Sequence, residues 1–242
     1  MARPVLQLEN VSKKFNDGDG RGTIVALQNM DLAIQEGEFV TIIGPSGCGK
    51  TTMLRIMAGL TAPSSGRCLY KGKEVSGPSL ERGYVFQDPR LFPWLTVLDN
   101  VRLAGNKGER FLAKMHLSEF KNAFPHELSG GMAKRVALAR ALAPEPDVLL
   151  LDEPLTNLDL STRSSLQKEL HNIWQQGVTC ILVTHDIDEA LTLGTRLILL
   201  SQRPAVIQHD IVFDLPFPRN LKSEECQHWR QKIVDLTMGV AY

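Results

Sequence analysis

The chain has little that would tie it to a metal cluster, an oxidising compartment or the interior of a membrane. Its four cysteines, Cys48, Cys68, Cys180 and Cys226, lie far apart with no C-x-x-C pair. That argues against a zinc site and a disulfide framework, and it suits a reducing cytosol. No apolar run approaches the ~18 residues that a spanning helix needs. The first residues, Met1-Ala2-Arg3-Pro4-Val5-Leu6, hold no apolar signal core. The expectation is a protein soluble by itself, with any membrane role coming through partners. An excess of charge is missing too. Lysine plus arginine, 27 in all, balance 27 aspartates and glutamates, so there is no net positive field to hold nucleic acid or anionic lipid non-specifically. Any phosphate binding must be local. There is no internal repeat and no low-complexity tract.

What is present suffices for one α/β domain, or a domain with a small lobe, within 242 residues. Val5 to Phe15 and Ile24 to Ile34 alternate apolar and polar residues around a Gly/Asp-rich turn, Asn16 to Gly22, which predicts antiparallel strands. Phe39 to Ile43, Val148 to Leu151 and Cys180 to Val183 are instead short continuous apolar runs, the pattern of strands buried on both faces. Each leads toward a helical pattern, best seen in Leu166, Leu170, Ile173 and Trp174 with Gly177 as a stop. Strand, turn and helix recurring in this way predict a parallel sheet with covering helices. Between Leu95 and Pro125 the pattern is polar and helical, interrupted by Gly105 and Gly108, and predicts a small inserted lobe. From Phe213 the chain is predicted extended, with a last helix over Glu224 to Met238.

Directly after the run Phe39 to Ile43 comes Gly44-Pro45-Ser46-Gly47-Cys48-Gly49-Lys50-Thr51, which fits G-x-x-x-x-G-K-[ST] and leads into a helix predicted through Leu60. The glycines let successive backbone N–H groups turn inward, and the helix N-terminus adds its positive dipole end. Lys50 supplies a charge for the β- and γ-phosphates, and the Thr51 hydroxyl can ligate Mg2+. The pattern alone does not separate kinases, GTPases and ATPases.

The second run ends abruptly in Asp152-Glu153-Pro154, putting two acids at the carboxyl edge of a sheet, where ligands bind in open α/β folds. Strand alternation predicts that they point opposite ways: Asp152 to a metal, Glu153 to the γ-phosphate, where it can take a proton from the attacking water. Leu128-Ser129-Gly130-Gly131-Met132 reads as a serine cap ahead of a helix over Met132 to Leu142, a second anion-binding helix start.

This order of motifs resembles the ATP-binding cassette (ABC) family over essentially the whole chain. The resemblance implies a P-loop NTPase (RecA-like) α/β fold: a mixed sheet core with an antiparallel β subdomain (1–87 and 139–212), an inserted helical lobe (88–138) and a C-terminal tail (213–242). It implies ATP and Mg2+ as ligands. Phe15 matches the position on which adenine stacks, and the phosphate loop with Thr52 holds the phosphates. Gln87, in Val85-Phe86-Gln87-Asp88, matches the glutamine that senses Mg2+ and the attacking water. Leu158-Asp159 matches a loop that crosses to a partner subunit. His185, in Val183-Thr184-His185-Asp186, matches the histidine that contacts the γ-phosphate. Lys50, Gln87, Glu153 and His185 are thus the expected catalytic residues, and Thr51, Gln87 and Asp152 the metal ligands.

The family also implies that Ser129, Gly130 and Gly131 close over ATP held by a second copy, so that two shared sites form in a homodimer. Gly77 to Trp94 and Asp214-Leu215-Pro216-Phe217-Pro218-Arg219 look like the nitrate/sulfonate/taurine importer group. In that group two cassettes sit peripherally on the cytoplasmic face of the inner membrane, under two permease subunits fed by an extracytoplasmic binding protein. Leu91, Phe92, Pro93 and Trp94 would help to receive a short permease helix. The competing reading is a soluble ABC ATPase acting as motor or scaffold without a permease. The sequence departs from the family's pattern at Lys134, where glutamine is common, and at Thr156-Asn157, where a small pair is usual. The helical lobe is also expected to be short. With so little sequence after the last predicted helix, the regulatory domain of some sugar importers is not expected.

Overall fold

A computed structural model describes residues 4–16 and 22–239; the body of the predicted Gly/Asp-rich turn, 17–21, lies outside the described residues. In chain order the strands and helices are β1 (Leu6–Asn16), β2 (Thr23–Ile34), β3 (Phe39–Ile43), α1 (Lys50–Ala58), β4 (Ser65–Tyr70), β5 (Lys73–Glu74) and β6 (Arg82–Val85). Then come α2 (Val97–Arg102), α3 (Gly108–Lys114), α4 (Gly130–Leu142), β7 (Val148–Asp152), α5 (Leu160–Gln175), β8 (Thr179–Val183), α6 (Ile187–Leu193), β9 (Arg196–Leu200), β10 (Ile207–Val212) and α7 (Glu224–Gly239). The chain divides into two units, Met1–Pro78 with Ile181–Tyr242, and Ser79–Cys180.

The first unit holds an antiparallel sheet in the order β2-β1-β4-β5, where the alternating apolar residues of β1 (Leu6, Leu8) and β2 (Leu32, Ile34) are buried. It also holds a mixed arrangement in the order β10-β9-β3-β8, with β3 and β9 parallel and β10 antiparallel at the edge. Every residue of β3 is buried, as a continuous apolar run requires of a strand covered on both faces. The predicted tail is packed. Phe213, Leu215, Cys226 and Ile233 join Ile43, Leu191, Leu197 and Leu199 in one apolar cluster, and Phe213 meets Trp229 edge-on at 5.2 Å. Arg219 reaches the carbonyls of Leu191 (2.5 Å) and Gly194 (2.6 Å) at the end of α6 while lying over the rings of Phe217 and Phe213. A cation is favourable at a helix C-terminus. Burial pushes its pKa down to about 10.

In the second unit β6 and β7 are parallel, with Tyr84 opposite Leu150. Helices α2 and α3 pack on α4. As the glycine pattern predicts, α2 stops at Arg102 and α3 does not start until Gly108. Leu166, Leu170 and Ile173 bury one face of α5, and each such burial contributes about 1.5–3 kcal/mol. The helix ends at Gln175, ahead of Gly177. The helix after the phosphate motif ends at Ala58, two residues short of the predicted Leu60, where Gly59 takes over as its cap. Among the described residues no helix is long and apolar enough to cross a membrane.

Candidate active site

In the first unit, Gly44–Gly49 forms a loop leaving β3 and entering α1. Gly49 is the N-cap residue with φ 131°, and a Cβ there would come within 2.9 Å of the Ala26 carbonyl and of the Leu27 side chain, so only glycine fits. Pro45, Ser46 and Gly47 are exposed while Cys48 is buried. Lys50, only 6% exposed, donates to the carbonyls of Gly44 (2.8 Å) and Pro45 (2.9 Å). Its ammonium is therefore held inside the loop by neutral groups, which leaves its charge to act on an anion. Thr51 and Thr52 follow in the first turn of α1.

His185 stands exposed just beyond β8, and it shares a cavity of about 280 Å³ with Gly44, Pro45, Ser46 and Thr237. The buried Thr184 hydroxyl donates to Glu189 at 2.6 Å, and Asp186 caps α6 by accepting from the N–H groups of Asp188 and Glu189. Phe15 lies near the end of β1, 41% exposed, with the Lys13 ammonium 5.1 Å from its ring centre. It is an accessible ring and not part of the core. One contact carries no sequence signal: the Arg203 Nε and Nη2 donate to the Gly47 carbonyl at 3.1 and 2.6 Å.

In the second unit, β7 ends at Asp152, which is 4% exposed and accepts from the Tyr84 hydroxyl on β6 at 2.9 Å. Glu153 has already left the strand, with φ 47°. Strand alternation therefore does not set its direction; a left-handed turn does. That conformation costs a non-glycine residue about 1–2 kcal/mol, so its surroundings must hold it. The Glu153 Oε2 accepts from Gln87 Nε2 and from the Thr156 hydroxyl, each at 3.3 Å. Gln87, Thr156 and Glu153 thus form a polar group around one carboxylate oxygen. The sequence marks Tyr84 only as part of the importer-like stretch and Thr156 only as a departure from the family's pattern; neither is expected to touch the acids, and their contacts with Asp152 and Glu153 come from the fold.

Ser129 caps α4 by accepting from the Met132 N–H at 3.2 Å, and Ser129 and Gly130 are exposed. A Cβ on Gly131 would fall 2.6 Å from the Thr162 methyl, so the helix start is pressed close to the start of α5. Asp159 caps α5, accepting from Ser161 N (3.0 Å), Ser161 Oγ (2.6 Å) and Thr162 N (3.0 Å). The hydroxyl hydrogen bond of Ser161, then that of Thr162, drives its pKa far below the ordinary carboxylate range.

A glycine-rich loop running from a buried strand into a helix, in a chain with a second buried strand ending in two acids, defines a P-loop NTPase. The model of the ABC transporter family matches residues 27–156. The aliphatic sulfonates import ATP-binding protein of a Bacillus cereus strain is 43% identical, covering 95% of this chain and 94% of the relative. An uncharacterized ABC transporter ATP-binding protein of Methanocaldococcus jannaschii is 46% identical over 96% of this chain and 90% of its own. The taurine import ATP-binding protein of a Jannaschia species is 45% identical over 88% of this chain and 82% of its own. Among solved structures, a dimeric ATP-binding cassette in a post-hydrolysis state bound to ADP and Pi superposes with TM-score 0.77. It is 34% identical and covers 86% of this chain and 98% of that one. A dimeric bacterial ABC transporter cassette gives 0.78 at the same identity and coverage. The chain belongs to the ABC transporter family, and within it is an ATP-binding, ATP-hydrolysing subunit.

Proposed function

We propose that this subunit drives an importer for small anionic or organic solutes of the nitrate, sulfonate and taurine type. It would work as a homodimer on the cytoplasmic face of the inner membrane, under two integral permease subunits fed by an extracytoplasmic binding protein. The observation that carries the reading is similarity of 43–45% to sulfonate and taurine import ATP-binding proteins across most of the chain. Nothing in the chain's charge balance calls for nucleic acid.

In this reading Phe15 stacks on adenine and the loop Gly44–Thr52 wraps the phosphates, with Lys50 countering their charge. Glu153 takes a proton from the attacking water, Gln87 orients that water, and His185 hydrogen-bonds the γ-phosphate. Thr51 and Asp152, with Gln87, are the oxygen donors offered to Mg2+. These are hard ligands, few in number, and they fit an ion that keeps several waters and takes other ligands from phosphates. Among the described residues no group of three or more His, Cys, Asp or Glu forms a protein-only cage. When bound, Mg2+ neutralises charge on the phosphates. Ser129, Gly130 and Gly131 close over the partner's ATP, and Leu158-Asp159 belongs to the loop that crosses to the partner subunit.

An apolar recess of about 470 Å³ in the second unit supports the permease contact. Leu80, Tyr84, Phe86, Phe92 and Leu103 line it together with Arg82, Arg90 and Arg140. Of Leu91, Phe92, Pro93 and Trp94 only Phe92 is in the lining, and Trp94, 70% exposed, meets Phe92 with ring centres 5.4 Å apart. A short amphipathic helix fits such a surface.

Two measurements test the proposal. Glu153→Gln should bind ATP, lose turnover by at least about a hundred-fold, and elute as a dimer in ATP; unimpaired turnover would remove Glu153 as the base. A strain lacking the chain should lose growth on taurine or ethanesulfonate as sulfur source while keeping growth on sulfate. Undiminished growth on both, with nitrate assimilation also intact, would remove the cargo class.

A further inference from the structure

Lys134 and Thr156, two of the positions at which this chain departs from its family's common pattern, touch each other. Lys134 lies in the second turn of α4, and its ammonium donates to the Thr156 carbonyl. Thr156 in turn donates its hydroxyl to the Glu153 Oε2 at 3.3 Å, the oxygen that also receives Gln87. The turn that carries these groups is irregular: Glu153 and Asn157 both have positive φ, 47° and 60°, and the Thr156 N–H points back to the Glu153 carbonyl at 3.4 Å. Asparagine tolerates that region well, whereas glutamate does not. The carboxylate's aim therefore depends on how firmly the next three residues are held.

A charge-assisted hydrogen bond to a carbonyl is about twice as strong as a neutral one. Here it is applied to the residue whose hydroxyl meets the carboxylate. We propose that Lys134 is a positioning residue for Glu153, acting through Thr156. The ammonium fixes the Thr156 backbone, which fixes its hydroxyl, which holds the carboxylate in one orientation. The inference rests on the reading of Glu153 as the base, and it accounts for the lysine and the threonine together: the cation anchors the turn, and the hydroxyl transmits the anchoring.

The test is a double-mutant cycle on the purified chain, with steady-state kcat and KM for ATP and an equilibrium Kd from a fluorescent nucleotide. Lys134→Met and Thr156→Val should each lower kcat by about five- to ten-fold while KM and Kd stay within about two-fold of the parent. The double variant should be no slower than Thr156→Val alone, because the lysine's effect on Glu153 is transmitted by the threonine. Lys134→Gln and Thr156→Ser keep a donor at each position and should recover most of the loss, which separates positioning from damage to the fold. Multiplicative losses in the double variant, a change confined to KM, or wild-type kcat in Lys134→Met would each overturn the proposal. Glu153→Gln run alongside keeps the two readings apart. If that variant turns over normally, the assignment of the base fails; if it is dead while Lys134→Met is unaffected, only the role of Lys134 fails.

Discussion

Asp159, which the proposed reading places in a loop that crosses to a partner, serves its own helix first. Its carboxylate accepts from both hydroxyl and backbone donors at the start of α5, and these interactions favour the charged form. A carboxylate whose folded pKa lies below its unfolded value stabilises the fold above the unfolded value, near 4, and that stabilisation is lost as pH falls through the folded value. The urea midpoint of Asp159→Ala should therefore lie below that of the parent at pH 7, and the gap should close as the pH falls below about 4. A gap that is constant down to low pH would mean that the carboxylate's charge is not what caps α5. At this scale the sequence is readable where chemistry is local. The phosphate loop, the Ser129 cap and the strand-end acids each consist of neighbours in the chain. The contacts of Tyr84, Thr156 and Arg203 are not readable, even though Thr156 shows as a departure from the family's pattern, because their partners Asp152, Glu153 and Gly47 are identified by folding and not by spacing.

The turn that presents Phe92 and Trp94 depends on Asn100, a fully buried polar residue on α2. Its amide donates to the carbonyls of Phe92, Leu95 and Thr96, and its oxygen accepts from the Phe92 N–H at 2.8 Å. A buried amide so engaged is tolerated because its partners replace water. Asn100→Ala leaves those backbone groups unmatched and should cost about 2–4 kcal/mol in urea denaturation, whereas Asn100→Asp should keep the acceptor and lose the donors. A cost below about 0.5 kcal/mol, the range of an ordinary surface substitution, would show that the turn is held by other contacts. Elements with a strong period are legible: the faces of β1, β2 and α5 and the glycine-broken helices α2 and α3 follow their patterns. Strands β9 and β10 are not. The apolar run of β9 has no chemical motif at its end, and β10 is an edge strand of alternating half-buried and exposed residues that resembles loop. The segment from Phe213 reads as extended, but its packing does not show in the sequence, since only the fold brings Phe213, Leu215 and Arg219 against α6 and α7.

At the scale of the whole molecule, the phosphate loop and the Ser129–Gly131 helix start belong, in the proposed reading, to different nucleotides. Likeness to dimeric cassettes over 86% of this chain supports that arrangement, and it has a consequence that no single chain can imitate. Lys50→Ala removes the charge that the loop holds, and Ser129→Arg fills an exposed helix start with a long cation. Each variant alone should be inactive, because in a homodimer every site then lacks one half. Mixed, they form a heterodimer in which the Ser129→Arg chain contributes an intact loop and the Lys50→Ala chain an intact Ser129, so that one site is whole and the other carries both defects. Random pairing gives about a quarter of the parent's intact sites, since half the dimers are mixed and each holds one good site of two. Phosphate release should accordingly appear on mixing two silent preparations and rise with total protein concentration as dimers exchange. If each copy hydrolysed ATP with its own Ser129, mixing would restore nothing, because neither chain would ever hold both intact halves.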